Sequence, residues 1–279
     1  MLETTTVGSL TLLSARSPQP GSETRPPILF VPGYFAAAWM FETYLPFFAE
    51  RGYAGYAVNL RGHAGSPLRS GTLLGKVSMT DYIADAREVA DWLTDREERP
   101  IVIGHSMGGL IAQKLAEEGK ARALVLLSPA PPRGIRVMSS RLLRRQLKHV
   151  PALLGSRRIV PGWRDMRDLV LNRVPEPEQR ATFERFVPDS GRAGREMSLG
   201  RIAVNAERVR EHRCPVLVVT SDDDRFIPPS VAQRVAARYR APVFMARAHG
   251  HLMLREPGWI EGATFISDWL KREVTTPER

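Results

Sequence analysis

Gly104-His105-Ser106-Met107-Gly108 is the stretch of this 279-residue chain with the clearest chemical potential. It follows the apolar run Ile101-Val102-Ile103 and opens a segment of helical character. A strand that turns sharply into a helix strains the backbone of its central residue, and only small flanking residues avoid a clash. Such a turn lifts the serine hydroxyl above the sheet at a helix N-terminus, where backbone N–H groups stabilise developing negative charge. The pentapeptide alone also fits a plain turn with a capping serine. Its place between strand and helix favours a nucleophile, Ser106.

A serine hydroxyl attacks at neutral pH only when a base takes its proton, and that base needs an orienting partner. The histidines are His63, His105, His149, His212, His249 and His251. His249 and His251 both follow the last strand-like run, and a register error of two would exchange them. His105 adjoins the serine and points along the turn, which suits a supporting role. His63 falls in a loop near the mouth, and His149 and His212 read as solvated or structural. Carboxylates cluster at Asp222-Asp223-Asp224, directly after Val216-Leu217-Val218-Val219. That cluster also fits a solvated turn or a cap for the helix after Pro228.

Short β-type runs alternate with helical patterns, which predicts a mostly parallel sheet with helices on both faces. Strands are expected at Leu10 to Ala15, Ile28 to Val31, Gly55 to Asn59, Pro100 to Gly104, Ala123 to Leu127, Pro215 to Thr220 and Pro242 to Ala246. A Pro-rich turn, Pro18 to Pro27, separates the first two. Helices are expected at Ala38 to Arg51, Met79 to Arg96, Met107 to Glu118, Pro229 to Tyr239 and Trp259 to Lys271; Tyr82, Ile83, Ala86, Val89, Ala90 and Leu93 have amphipathic spacing. From Pro129 to about Val209 the alternation gives way to short amphipathic helices broken by prolines. One carries Leu142, Leu143, Leu147 and Val150 on a face, another Trp163, Met166, Leu169 and Val170. The expected organisation is an α/β core over 1–130 and 211–279, with a helical cap over 131–210.

On the Gly-x-Ser-x-Gly turn and this order of elements, the chain resembles the α/β-hydrolase superfamily over about Leu10 to Leu270, and within it the small capped esterases and lipases. The family's order is nucleophile, acid, histidine. Gly250-His251, with Glu256-Pro257 shortly after, is similar to the segment around the family's catalytic histidine, so the resemblance implies His251, with His249 the rival. The family sets its acid in a Gly-x-x-Asp pattern with a Pro four residues on. This implies Asp224, with Ser221 in place of the Gly and Asp223 as the alternative. For the oxyanion hole it implies the backbone N–H of Met107 and of Tyr34, in Pro32-Gly33-Tyr34-Phe35, where relatives usually show His-Gly. A second departure is Asn59-Leu60-Arg61-Gly62-His63-Ala64-Gly65-Ser66, where many relatives begin with Asp.

The resemblance implies ester hydrolysis. The same triad would also serve C–C bond, lactone or amide hydrolysis or acyl transfer, and a non-catalytic binding member is a further alternative. Nothing in the sequence calls for a metal or nucleotide cofactor: there is no zinc spacing, Walker loop or Gly-x-Gly-x-x-Gly. Net charge is +10, and the stretch Arg133 to Arg210 carries all of it, with 18 Lys and Arg against 8 Asp and Glu. That surplus is either a solvated face or an attraction for an anionic or lipid-like substrate. No nucleic-acid-binding pattern accompanies it. Trp163, Met166, Phe183, Phe186 and Met197 are candidate pocket walls, although ordinary lid packing also explains them. The lone Cys214 precludes an intramolecular disulfide. No window reaches the roughly 18 apolar residues of a membrane span, and Met1 to Ser17 lacks a signal-like pattern. A cytoplasmic enzyme without stable membrane insertion is expected.

Overall fold

Val, Ile and Leu dominate runs of four to six residues that are buried on both faces, the habit of strands inside a parallel sheet. The computed structural model of the chain describes residues 1–17, 25–137 and 150–274. Its first half runs β1 (Glu3–Val7), β2 (Leu10–Ala15), β3 (Ile28–Val31), α1 (Tyr44–Ala49), β4 (Gly55–Val58), α2 (Met79–Arg96), β5 (Ile101–His105), α3 (Met107–Glu117) and β6 (Ala123–Leu127). Then follow α4 (Val150–Leu154), β7 (Arg158–Ile159), α5 (Trp163–Leu169), α6 (Glu176–Glu184), β8 (Asp189–Ser190), α7 (Gly191–Ser198) and α8 (Ala206–Glu211). The chain returns to the sheet with β9 (Val216–Ser221), α9 (Pro229–Tyr239), β10 (Val243–Ala246) and α10 (Trp259–Val274).

The main sheet has eight strands in the order β1-β2-β4-β3-β5-β6-β9-β10. β1 and β2 pair antiparallel, as do β2 and β4, and every later pairing is parallel. Alternate side chains feed two cores. Leu29, Val31, Val102, Leu124 and Val218 pack on one face with α2, α3 and α9. Ile28, Phe30, Ile103, Val125 and Leu217 pack on the other with α1 and α10.

Three expectations change. The helix expected over Ala38 to Arg51 is a 3-10 turn, Ala38–Phe41, followed by α1. Pro46 explains the break, since its ring would collide with the carbonyl of Glu42 in a continuous helix. Asp189 and Ser190 of β8 pair antiparallel with Ile159 and Arg158 of β7, within a stretch expected to be helical. β1, rich in threonine and largely exposed, is an unexpected edge strand. His149 and residues 18–24 of the Pro-rich turn lie outside the described residues, as do the side chains of the Leu142, Leu143, Leu147 and Val150 face. Among the described residues no helix is long and apolar enough to cross a membrane.

The segment between β6 and β9 is tied to the core at several points. The Ser190 hydroxyl donates to the Gly75 carbonyl at 3.1 Å, and Met79 N–H donates to Glu196 at 2.8 Å. Arg185 pairs with Glu42, and the Phe186 ring meets Trp39 edge-on at 5.2 Å. Met166 is buried in the second core, with Trp163, Phe183 and Phe186 packed against it, whereas Met197 packs on the first. Arg167, Arg173, Arg180, Arg185, Arg192 and Arg210 each pair with a carboxylate, so local partners offset part of the segment's basic surplus.

Candidate active site

Ser106 follows β5 directly, and its backbone stands at φ 53° and ψ −117°, a region that residues with side chains rarely occupy. The turn is held on both sides: Ser106 N–H donates to the Leu127 carbonyl at 3.0 Å, and its own carbonyl accepts from Gly109 and Ala130. A Cβ at Gly104 would stand 2.2 Å from the Gly108 carbonyl oxygen, and one at Gly108 would stand 2.0 Å from that of Val31. The two flanking glycines are therefore steric requirements of the turn. Ser106 is itself 5% exposed.

The carboxyl ends of the parallel strands bring the remaining candidates together, as expected for an open α/β sheet. Beyond β9, Asp224 accepts at Oδ1 from the N–H groups of Phe226 and Ile227, at 2.9 and 2.8 Å. Its Oδ2 lies 2.8 Å from Nδ1 of His251, which follows β10. Both side chains are buried, and the Phe226 ring flanks the imidazole at 5.0 Å. Asp223 turns away and meets Arg173 at 2.7 Å and Asn172 at 3.1 Å. His249 bonds the Arg247 carbonyl through Nδ1, at 2.7 Å. Of the rival pairings, the fold brings together Asp224 and His251.

His105 links the serine turn to this pair. Its Nε2 lies 2.8 Å from the His251 carbonyl oxygen, and the two rings stand 4.8 Å apart. Burial, helped by the neighbouring His251, pushes the His105 imidazole down to about 3, so the ring is neutral and Nε2–H donates. The Ser221 hydroxyl donates to the Gly250 carbonyl at 2.6 Å, so this serine joins the acid strand to the histidine loop. Glu256 accepts from Gly250 N–H at 2.7 Å on the same loop. Burial pushes the Glu256 carboxyl up to about 7. Its second oxygen and Asn172 Oδ1 are buried acceptors, and both face Gly250.

The loop after β3 lies on the serine turn: a Cβ at Gly33 would stand 3.1 Å from Ser106 Cβ. Among the described residues neither Tyr34 N–H nor Met107 N–H meets an acceptor. Asn59 braces this region. Its side-chain oxygen Oδ1 accepts from Ala38 N–H at 2.7 Å, while its Nδ2 donates to the Thr11 hydroxyl and to the Ala64 carbonyl. The donor half of that arrangement requires Asn where many relatives carry Asp.

A family model described as the alpha/beta hydrolase family matches residues 28–263. The chain belongs to that family. Solved structures of low identity share the α/β-hydrolase fold. One is the N-acyl homoserine lactonase AidH, with a TM-score of 0.72 and 18% identity, covering 100% of both chains. Another is a membrane phospholipase A described as a bacterial virulence factor, with a TM-score of 0.69 and 20% identity over 99% of this chain and 87% of that one. An esterase from Thermogutta terrifontis has a TM-score of 0.68 and 18% identity over 99% of this chain and 100% of its own. No curated protein matches this α/β-hydrolase in sequence.

Asp189 escapes sequence reasoning altogether. It is fully buried and accepts from the Tyr82 hydroxyl at 2.6 Å, from its neighbour Ser190 N–H at 2.6 Å and from Phe35 N–H at 2.8 Å. His63 Nε2 stands 3.4 Å from the same carboxylate, at ion-pair distance though poorly aligned for a hydrogen bond. Burial pulls the His63 pKa down, but Asp189 and the Leu60 and Arg61 carbonyls outweigh it and leave it raised. An isolated aspartate after Phe186-Val187-Pro188 carries no periodic signal to reveal this. Among the described residues no group of three or more His, Cys, Asp or Glu is placed to hold a metal ion.

Proposed function

We propose that this α/β-hydrolase cleaves carboxylic esters through an acyl-enzyme on Ser106. The observation that carries the reading is the buried His251–Asp224 pair, with its 2.8 Å contact, beside a serine turn at positive φ. Ser106 Oγ attacks the ester carbonyl carbon while His251 takes its proton, and Asp224 orients the imidazole and stabilises the imidazolium. Negative charge gathers on the former carbonyl oxygen, where Tyr34 and Met107 N–H groups stabilise it. His251 then returns the proton to the departing alcohol oxygen. Water, deprotonated by the same imidazole, attacks the acyl-serine and releases the acid and free Ser106. A lactone, as a cyclic ester, passes through the same steps with its alcohol still tethered.

In this reading the segment between β6 and β9 caps the site, with the packed rings of Trp163, Phe183 and Phe186 on the acyl side. The substrate is a small, anionic or lipid-like ester, and the enzyme is cytoplasmic. The test is hydrolysis of p-nitrophenyl esters from acetate to palmitate by the wild type and by Ser106→Ala. Turnover that disappears in the variant supports the reading, and the chain-length profile sizes the acyl pocket. A wild type inert to the whole series overturns it.

A further inference from the structure

Residues 187–190 hold the loop after β3 from above, through contacts unrelated to the serine turn. Val187 N–H donates to the Phe35 carbonyl at 2.9 Å, and Phe35 N–H donates to Asp189 at 2.8 Å. The Tyr34 hydroxyl donates to the Ser190 carbonyl at 2.6 Å. Phe35 stands at φ 65°, a conformation disfavoured for a residue with a side chain. Such a backbone persists only where its surroundings over-determine it. Asp189 supplies that constraint, held in place by Tyr82 from α2, by Ser190 N–H and by His63 from the loop after β4.

We propose that Asp189 is a positioning residue for the oxyanion hole, fixing the Tyr34–Phe35 peptide so that the N–H of Tyr34 stays beside Ser106. The proposal rests on the ester-hydrolase reading and adds that the cap builds part of the catalytic centre. Asp189 touches neither substrate nor reacting atoms. It acts through the backbone of one loop, so its loss falls on the transition state more than on substrate binding.

The experiment compares wild type, Asp189→Asn and Leu93→Ala on one p-nitrophenyl ester, with amide hydrogen exchange read at Phe35. Leu93 is buried in the first core on α2, about three turns along the helix from Tyr82, so its truncation destabilises the fold and leaves the Phe35 bond in place. In Asp189→Asn, kcat is expected to fall roughly 10- to 100-fold, with KM within about threefold and faster Phe35 exchange. Leu93→Ala is expected to lower the melting temperature at least as much while keeping kcat within about threefold of wild type. Equal loss of kcat in the two variants, or Phe35 exchange unchanged in Asp189→Asn, overturns the proposal. If Asp189→Asn does not fold, wild-type exchange decides: a fast-exchanging Phe35 amide removes the clamp, and a protected one sustains it. A wild type without ester turnover defeats the hydrolase reading, and the exchange data then report separately on whether Asp189 holds the loop.

Discussion

The hydroxyl of Ser221, the last residue of β9, donates to the backbone oxygen of Gly250 at 2.6 Å, one residue before His251. The strand that leads to Asp224 and the loop that carries His251 are thus joined through buried groups, independently of the carboxylate–imidazole contact. Relatives with Gly at this position lack the hydroxyl. Ser221→Ala is expected to cost about 1–2 kcal/mol in stability, because the Gly250 carbonyl loses its partner. Urea unfolding measures that loss. A variant as stable as wild type would mean that the bond contributes nothing.

The two neighbouring aspartates should separate sharply in kinetics. Asp224→Asn is expected to lower kcat by roughly 10³- to 10⁴-fold, since an amide cannot stabilise the imidazolium or hold the same tautomer. Asp223→Asn should stay within about threefold of wild type, because Asp223 faces Arg173, Asn172 and Arg225. Steady-state kinetics on one ester suffice, and a reversed order would exchange the acid assignment.

Glu256 predicts a pH effect on stability. Its carboxyl titrates near 7 in the fold, against about 4.3 in an unfolded chain. Because the folded value is the higher, the folded state retains the proton through this window. Its stabilisation is complete below about pH 4.3 and is lost as pH rises through 7. Glu256→Gln keeps an acceptor for Gly250 and cannot ionise. Relative to wild type it should gain stability on the order of 1–3 kcal/mol between pH 5 and pH 8. Urea midpoints at those two values measure the gain, and parallel pH profiles would count against it.

Cys214 gives a simple check on packing at the entrance to β9. Burial pushes its thiol up to about 12, and it is the only cysteine in the chain. The native protein should therefore resist Ellman's reagent, whereas the unfolded chain should react fully. Rapid labelling of native protein would place the thiol in solvent.

The sheet was legible where burial leaves a simple mark. Ile28–Val31, Ala123–Leu127 and Val216–Val219 are apolar on both faces, and few other structures hide such runs. The serine turn was legible because sterics restrict its flanking positions to very small residues. Asp224 and His251 needed the spacing of a known family, since three aspartates and two histidines stood within reach and sequence does not reveal which way a side chain points. β1 was hidden by its exposed threonines, which give no alternation of apolar and polar residues. β7 and β8 are two residues each and about thirty residues apart, too short for any period. Asp189 was invisible for a related reason: its donors Tyr82 and Phe35 are remote in sequence and meet it only through the fold.

The attachment of residues 187–190 to Phe35 bears on how this enzyme could be re-engineered. If the segment between β6 and β9 acts as the proposed cap, exchanging it with a relative's is a route to new specificity, and the natural cut points would be the ends of β6 and β9. A graft cut there would discard Val187, Asp189 and Ser190 together with the rest of the segment between β6 and β9. A chimera that keeps 187–190 from the host and imports only what precedes them would preserve the seam. The two designs differ over residues 187–215, all of them far from Ser106 in sequence.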